Sequence, residues 1–325
     1  VILSSATPSL ESFWNVEQKK FLNFQLSKRV NNSPLPKVEI VDMKKEKNLI
    51  SNRLMESIKE NIRNNYQTLI FINKRGYAPF VICKNCGFVK LCKNCHTSLV
   101  LHDFKNENNS YFLCHHCNYK EIFKNLCSKC ESENNFHYPG LGIEKVYESV
   151  EKSFPTAKKC LLSSDKTKNT KNFEDTITRI TSNEIDIIIG TQLISKGHNF
   201  PYLKTVGIIN IDNLISDFNF RSYEKTFQQI IQVGGRAGRV NLDGEVFIQT
   251  FQPSHQVMKH CKQQDINLFN NWELKSRKEN NHPPFTRLIS VIISSKKESS
   301  VVNFSKQIMK LITENFKNLS TFGPA

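Results

Sequence analysis

The sequence predicts an α/β fold in which a parallel sheet is flanked by helices. Short apolar runs of strand length, such as IDIIIG at 185–190 and VGIINI at 206–211, alternate with segments whose apolar residues recur every three or four positions. This alternation is typical of parallel sheets with helical crossovers. A hydrophobic fraction of 38% over 325 residues is enough to bury a core. The apolar runs are far shorter than the roughly 20 residues that cross a bilayer, so we expect no membrane helix.

The first predicted elements precede a cysteine-rich stretch. KVEIVDM at 37–43 and QTLIFIN at 67–73 are rich in β-branched and aromatic residues and are predicted strands. Between them a helix is predicted over about 50–64, because apolar residues recur every four positions and share one face. These residues are Ile50, Leu54, Ile58 and Ile62.

The remaining elements follow the cysteine-rich stretch. GIEKVYESVEKSF at 142–154 carries its apolar residues on one helical face, and Pro155 ends that predicted helix. The later elements are, in order, a strand at 158–164, a helix around 171–182, strands at 185–190 and 204–212, a helix around 222–232 and a strand at 244–251.

Two stretches interrupt this alternation and divide the chain. The cysteine-rich residues 83–130 lie between two βα units without contributing to the sheet pattern, and they are a predicted insertion. The polar run KENNHPPF ends in two prolines, after which RLISVIISS at 287–295 and an amphipathic helix at about 298–316 predict a new strand and helix. The predicted domains are 1–36, 37–82, the insertion 83–130, 131–279 and 280–325.

Eight of the ten cysteines form four Cys-x-x-Cys pairs inside the insertion. This spacing lets two sulfurs lie at about 2.3 Å from one Zn²⁺. Disulfides are the alternative, which a reducing compartment disfavours, and a redox dithiol would explain one pair rather than four. Five residues separate the first two pairs, whereas the eighteen between the second and third read as strand, turn and strand. The spacing therefore favours a nested arrangement.

We predict two zinc ions per chain. One ion is bound by Cys83, Cys86, Cys127 and Cys130, and the other by Cys92, Cys95, Cys114 and Cys117. The adjacent His96, His115 and His116 are interpreted as surface or phosphate-facing residues, because four thiolates already complete each tetrahedron. The lone Cys160 and Cys261 are interpreted as small buried hydrophobic residues.

Lysine and arginine outnumber aspartate and glutamate by 45 to 30, which gives a formal net charge of +15. Such an excess is the electrostatic footprint of a polyanion binder. The alternative is ordinary solvated surface in a chain that is also rich in asparagine and isoleucine. Charge therefore favours nucleic-acid binding without establishing it.

Three polar motifs carry the functional signal. QVGGRAGR at 232–239 places Arg236 and Arg239 three residues apart at a glycine-containing helix end, where both can face a phosphate. The alternative is an ordinary arginine-rich helix end. GTQLISKGHNFP at 190–201 follows the predicted strand IDIIIG. In the same way, SSATPS at 4–9 follows the apolar residues VIL. Since parallel sheets place ligands at the carboxyl ends of their strands, we expect one shared cleft.

The motifs and their order resemble the PriA (primosomal protein N′) family of bacterial replication-restart DNA helicases in superfamily 2. The resemblance rests on SSATPS, FINKRGYAP at 71–79, the four cysteine pairs, GLGIEK at 140–145, GTQLISKGHNFP and QVGGRAGR, and it extends over essentially the whole chain. It implies a RecA-like second helicase lobe that contains the two-zinc insertion, followed by the start of a C-terminal α/β domain. Small departures are Gly234, Asn219 before Phe220, and Glu131 after the fourth cysteine pair, which predicts a looser turn there.

The resemblance also implies residue roles. Arg236 and Arg239 would reach the ATP γ-phosphate, and the remaining nucleotide contacts would come from Gln232, Gly235 and Gly197. The residues implied to contact DNA or to couple it to nucleotide state are Ser5, Thr7, Thr191, Gln192 and Lys196.

The sequence contains neither G-x-x-x-x-G-K-[ST] nor D-E-x-H, the motifs that hold phosphates and Mg²⁺. The family carries both upstream, and the chain begins at Val1, so we expect an internal piece that is inactive alone. The whole protein is expected to be an ATP- and Mg²⁺-dependent 3′→5′ helicase in the bacterial cytoplasm, close to the nucleoid. Its expected partners are forked and single-stranded DNA, primosome proteins and single-stranded DNA-binding protein, with no membrane. The alternative is a non-enzymatic zinc module from a truncated or decayed helicase.

Overall fold

The structure is a computed structural model. It describes residues 1–26, 33–73, 81–94, 98–102, 110–114, 119–133, 135–137, 143–162, 170–191, 199–215, 219–239, 243–293, 295 and 297–321. Its main feature is a six-stranded sheet in which every neighbouring pair is parallel. The strands are β1 (Lys37–Asp42), β2 (Gln67–Ile72), β8 (Lys159–Leu162), β9 (Ile187–Gly190), β10 (Leu203–Ile209) and β11 (Glu245–Thr250). Their spatial order is β1-β11-β10-β2-β9-β8.

Nine helices accompany these strands in the part of the chain that the structure describes. They are α1 (Leu10–Glu17), α2 (Asn52–Arg63), α3 (Ile143–Ser153), α4 (Thr170–Thr181), α5 (Asp212–Ile215), α6 (Ser222–Gly234), α7 (Gln256–Gln263), α8 (Ile266–Glu279) and α9 (Glu298–Asn315). A short 3₁₀ turn, Met43–Lys45, follows β1. The predicted α/β fold with a parallel sheet flanked by helices is confirmed.

The sheet is buried on both faces because successive side chains of a strand point in opposite directions. In β2, Leu69 and Phe71 join the core under α4, α6, α7 and α8, while Ile70 and Ile72 join the core under α2 and α3. Cys261 is buried in the first core and Cys160 packs against it. Burial raises the pKa of both thiols, that of Cys160 to about 12. Both behave as the small hydrophobic residues that the sequence predicts.

Local capping sets the helix ends within the predicted ranges. The predicted helix over 50–64 is α2, which begins at Asn52 because the Ser51 hydroxyl accepts a hydrogen bond from the Leu54 amide at 3.3 Å. Among the described residues, no helix is both long and apolar enough to span a bilayer.

One predicted strand does not form. The described residues of 287–295 have no strand pairing, and Ile289 and Ile292 are 86% and 88% exposed. A strand depends on a neighbour that takes its backbone hydrogen bonds, and none of the described strands lies beside this segment. The apolar run alone was therefore a misleading signal. Helix α9 does follow it.

The described residues of the cysteine-rich region form two small antiparallel sheets between β2 and α3. β3 (Ile82–Cys83) pairs with β7 (Phe136–His137). β4 (Val100–His102), β5 (Tyr111–Leu113) and β6 (Lys120–Ile122) form the second sheet. The two strands expected between the second and third cysteine pairs are β4 and β5, and the turn expected between them lies outside the described residues. The domain boundaries themselves stay predictions.

Candidate functional site

Four thiols of the insertion lie together. The Sγ atoms of Cys83, Cys86, Cys127 and Cys130 are all within 4.8 Å of one another. The Cys83–Cys130 and Cys86–Cys127 Sγ distances are 3.6 and 3.7 Å. Four sulfurs at 2.3 Å from a tetrahedral zinc ion would be about 3.8 Å apart. This cluster can therefore hold a metal ion, and its dimensions fit zinc.

All four Cys-x-x-Cys pairs share one backbone arrangement in the residues around them. The residue before the first cysteine pairs antiparallel with the residue seven positions later. These partners are Ile82–Val89, Leu91–Ser98, Leu113–Lys120 and Leu126–Glu133. In the first, third and fourth pairs the amide of the first cysteine also donates to the carbonyl oxygen five residues on, at 2.8–3.0 Å, while the corresponding acceptor of the second pair lies outside the described residues. The residues that flank the second and third pairs are thus bridged in the same way as those that flank the two pairs of the cluster.

The second predicted metal site is described only in part. Cys92 and Cys114 are buried in the same small core, which also contains Leu101 and Phe112. Cys95 and Cys117 lie outside the described residues, as do the three neighbouring histidines. The assignment of the eight ligands to two ions stays a prediction.

Hydrogen bonds to sulfur prepare the first cluster for a cation. The Ser132 hydroxyl is 3.2 Å from the Cys130 sulfur and 3.3 Å from that of Cys83, and the Lys129 amide lies 3.5 Å from the Cys127 sulfur. Hydrogen bonds from the Ser132 hydroxyl and amide lower the pKa of Cys130 to about 5, whereas burial raises the pKa of Cys86 to about 12. A bound metal ion would stabilise all four sulfurs as thiolates.

The hairpin of the first cysteine pair packs against the end of the main sheet. Gly87 has φ +73°, and a Cβ built there would lie 2.6 Å from the carbonyl oxygen of Phe251, just after β11. Glu131 holds the same place after the fourth pair with φ +57°. The Gly87 and Glu131 amides donate to the carbonyl oxygens of Cys83 and Cys127 at 2.8 and 3.0 Å. The turn at Glu131 is therefore no looser than its counterpart, and packing against the sheet explains the glycine at 87.

The arginine motif forms the end of α6 and the turn after it. The Gly238 amide donates to the Leu203 carbonyl oxygen at 3.0 Å, which ties the turn to the beginning of β10. Arg236 is 4% exposed, whereas Arg239 is exposed and donates from Nε to the Gly235 carbonyl oxygen at 3.2 Å. Burial, and then the like charge of Arg239, lower the pKa of Arg236 to about 10. A bound anion would relieve this repulsion.

The SSATPS segment lies on the same helix. The Gln232 amide group donates to the Thr7 hydroxyl at 2.7 Å. One turn earlier, the Gln228 side chain donates to the carbonyl oxygens of Thr7 and Pro8 at 3.3 and 3.2 Å. The Ser5 hydroxyl accepts from the Thr7 amide at 3.0 Å. The structure thus brings two of the three polar motifs into contact.

Of the third motif, Thr191 lies at the opposite end of the sheet from the arginine turn, so the expectation of one shared cleft is wrong for this residue. Thr191 follows the carboxyl end of β9, where its amide donates to the Leu162 carbonyl oxygen at 3.2 Å, and it is buried. The arginine turn contacts the amino end of β10 instead. The two ends of a seven-residue strand are about 20 Å apart. The reason is that the crossover helix α6 runs antiparallel to the strands and returns the chain to their amino ends. Gln192, Lys196 and Gly197 lie outside the described residues.

A buried ionic cluster, which was not predicted from the sequence, lies beside the SSATPS segment. Arg277 of α8 contacts Glu224 of α6 at 2.8 Å and Glu273 at 3.1 Å, and all three side chains are at most 4% exposed. Burial raises the pKa of Glu273 to about 7, against the opposing effect of Arg277. Glu224 stands four residues before Gln228 in the helix that carries the arginine motif, but this spacing does not indicate a buried ion pair.

Comparisons with known proteins agree with these motifs. Residues 145–241 match the helicase conserved C-terminal domain. The replication restart protein PriA of Rickettsia felis is 37% identical over 329 residues, which cover 100% of this chain and 50% of that protein. PriA of Bacillus subtilis is 34% identical over 320 residues, which cover 97% of this chain and 39% of that protein.

The chain therefore spans half or less of the length of these relatives. Among solved structures, S. cerevisiae Dbp5 bound to RNA and ADP BeF3 aligns with a TM-score of 0.37 and 11% identity, over 94% of this chain and 54% of that one. That score is too low to support an argument. On its sequence relatives and its helicase domain, the chain belongs to the PriA family of superfamily 2 helicases.

Proposed function

We propose that the chain is part of an ATP-dependent 3′→5′ DNA helicase that recognises stalled or branched replication forks and initiates primosome assembly for replication restart. The observation that carries the proposal is the 2.7 Å hydrogen bond from Gln232 to Thr7. It joins the segment that resembles the helicase coupling motif to the helix that carries the arginine motif. A hydrogen bond between these two segments gives nucleotide state a direct route to the rest of the motor.

In this proposal the arginine turn binds the γ-phosphate of ATP. Arg239 approaches the phosphate from the surface, and Arg236 supports it from the buried side. The proposed nucleotide contacts also include Gln232, Gly235 and Gly197. Two like charges close together, partly removed from water, favour an anion between them. ATP and Mg²⁺ bind mainly to the part of the protein that carries the phosphate-binding loop.

The DNA contacts are proposed to lie on the remaining motif residues. These are Ser5, Thr7, Thr191, Gln192 and Lys196. Forked and single-stranded DNA, primosome proteins and single-stranded DNA-binding protein are the proposed partners, in the bacterial cytoplasm. The net charge of +15 supports a polyanionic partner.

The two proposed zinc ions have a structural role in the insertion. Metal analysis of purified protein should find two ions per chain. Cys83→Ser and Cys127→Ser should lose the same ion, while Cys92→Ser and Cys114→Ser should lose the other. A single ion per chain, or losses that follow the order of the pairs along the chain, would contradict the nested assignment.

The catalytic proposal is tested in the full-length protein. Arg236→Ala and Arg239→Ala should each lower DNA-stimulated ATP hydrolysis on the order of 10³-fold, because an arginine at the γ-phosphate stabilises the charge of the transition state. Arg53→Ala is the control, since Arg53 makes only solvent-exposed ion pairs with Glu39 and Glu56. DNA affinity and zinc content should stay at the wild-type level.

Near-normal ATPase activity in both variants would remove the arginine turn from the nucleotide site. Absence of DNA-stimulated ATPase in the full-length wild type would favour the non-enzymatic zinc module instead.

A further inference from the structure

A buried carboxylate on α6 holds the beginning of α1. The Glu224 Oε1 atom accepts a hydrogen bond from the Leu10 amide, the first residue of α1, at 2.9 Å, and Glu224 is 3% exposed. Ser9 caps the same helix end by accepting from the Ser12 amide at 3.2 Å. A helix leaves its first amides without partners inside the helix. Glu224 satisfies one of them from 214 positions away in sequence.

Glu224 belongs to a row of side chains at four-residue spacing on α6. Gln228 and Gln232 follow it and contact Thr7 and Pro8. Positions four apart lie on one ridge of a helix, and the next position in this series is Arg236. The ridge that holds the SSATPS segment therefore leads directly to the arginine turn.

Arg277 ties a third segment to this ridge. Its Nη2 contacts the other Glu224 oxygen at 2.8 Å, its Nε donates to Glu273 at 3.1 Å, and its Nη1 donates to the Pro283 carbonyl oxygen at 3.2 Å. The rings of Trp14 and Phe285 lie 4.8 Å apart beside this cluster. The Arg277 guanidinium therefore contacts the HPPF turn directly and is linked through Glu224 to the beginning of α1.

A buried ion pair of this kind is weak support for stability, because desolvation of the charges offsets their attraction. Its geometric effect is stronger, since a guanidinium fixes several acceptors in one plane. This is the reason to assign it a role in positioning.

We propose that Glu224, Gln228 and Arg277 are positioning residues that hold the SSATPS segment and α1 against α6, and so couple DNA binding to the arginine turn. The inference rests on the proposed function, in which that turn contacts ATP. Without these contacts the turn that carries the two arginines would keep its local conformation. The SSATPS segment, however, would no longer be held at a fixed position along α6, where Thr7 meets Gln232. The consequence is a motor that still hydrolyses ATP but responds weakly to DNA.

The test uses the full-length protein and two variants. Gln228→Leu removes the hydrogen bonds to the SSATPS segment and one to Glu224, which keeps its partners Leu10 and Arg277. Arg277→Lys keeps the charge, but one ammonium cannot reach Glu224, Glu273 and Pro283 together. Each variant should lower the stimulation of ATPase by single-stranded DNA roughly tenfold, the effect of losing one or two ordinary hydrogen bonds. The KM for ATP should stay within about a factor of two, as expected when substrate binding is unchanged.

Gln229→Leu is the matched control, because it is the same substitution one position along α6 and has no described hydrogen bond to the SSATPS segment. A second readout is amide hydrogen exchange in residues 7–17. It should become faster in Gln228→Leu and Arg277→Lys but not in Gln229→Leu, because only the first two release this segment.

The possible outcomes separate the two proposals. If the wild type shows no DNA-stimulated ATPase, the proposed function fails. If the wild type is active and both test variants match Gln229→Leu in DNA stimulation and in exchange, the positioning role alone is overturned. A fall in melting temperature with unchanged DNA stimulation would also overturn it, since that is the signature of a purely structural contact.

Discussion

The contact between Gly87 and the end of β11 makes a sharp prediction about the Gly87→Ala substitution. The φ of +73° is left-handed, which costs a residue with a Cβ about 1–2 kcal/mol. The new Cβ would also lie 2.6 Å from the Phe251 carbonyl oxygen, and backbone must move to make room. Overpacking of this kind costs about 1–3 kcal/mol. The two effects together lower the free energy of unfolding by about 2–5 kcal/mol.

Glu131 provides an internal control for this number. It has φ +57° in the equivalent turn and is exposed, so Glu131→Ala changes the side chain without introducing a new Cβ. We expect Glu131→Ala to stay within about 0.5 kcal/mol of wild type. Urea unfolding of both variants measures the difference, and zinc content should be equal, because the amide at position 87 can still donate to Cys83.

The refuting result is equally clear. If Gly87→Ala costs no more than Glu131→Ala, the first hairpin does not pack against Phe251. If Gly87→Ala instead loses a zinc ion, the glycine serves the metal site rather than the contact with the sheet.

Three further predictions concern the core and the charge. Burial raises the pKa of Asp212 from 3.8 to about 6, against hydrogen bonds from Thr250 and the Phe251 amide. The folded state therefore binds more protons than the unfolded state in that interval. As the pH rises from 3.8 to 6, the free energy of unfolding of the wild type should fall by about 3 kcal/mol relative to that of Asp212→Asn. Parallel pH profiles of the two proteins would contradict this. Phe269→Ala removes a ring stacked on Phe227 at a centroid distance of 4.0 Å and should cost about 3–5 kcal/mol in urea unfolding, whereas a cost below about 1 kcal/mol would contradict the packing. Affinity for single-stranded DNA should fall by roughly 10³-fold between 50 and 200 mM salt if six or more phosphates are contacted, and salt-insensitive binding would support ordinary surface charge.

The main sheet was predictable because its signals are local. Apolar runs such as that of β2 are buried on both faces, and the four-residue spacing of Leu54 and Ile58 marks a helix in any context. The same reasoning failed at Ile289 and Ile292, because a strand also needs a neighbour, which a local pattern does not show. Hydrophobicity identified the candidate segments, and pairing decided which of them became strands.

The candidate site was predictable only in part, for a topological reason. Cysteine spacing is informative because a Cys-x-x-Cys turn is compact, and the lengths of the segments between the pairs group the thiols of Cys83 and Cys130 from sequence alone. Whether Thr191 lies near the arginine turn depends on which end of the sheet each loop reaches. Helix α6 returns the chain to the amino ends of the strands, so the arginine turn lies at the opposite end from Thr191. The burial of Arg277 had no sequence signal, because long charged residues are usually exposed.

The pairing of β3 with β7 has a consequence for how this protein could change during evolution. The first and last described strands of the cysteine-rich region pair with each other, so the length of chain between them can change without moving its two ends apart. Segments whose ends meet in this way are readily exchanged or lost between related proteins. The exception is the Gly87 contact with Phe251, which restricts the first hairpin to a shape that this particular sheet accepts. A transplanted insertion would therefore need to bring that glycine with it.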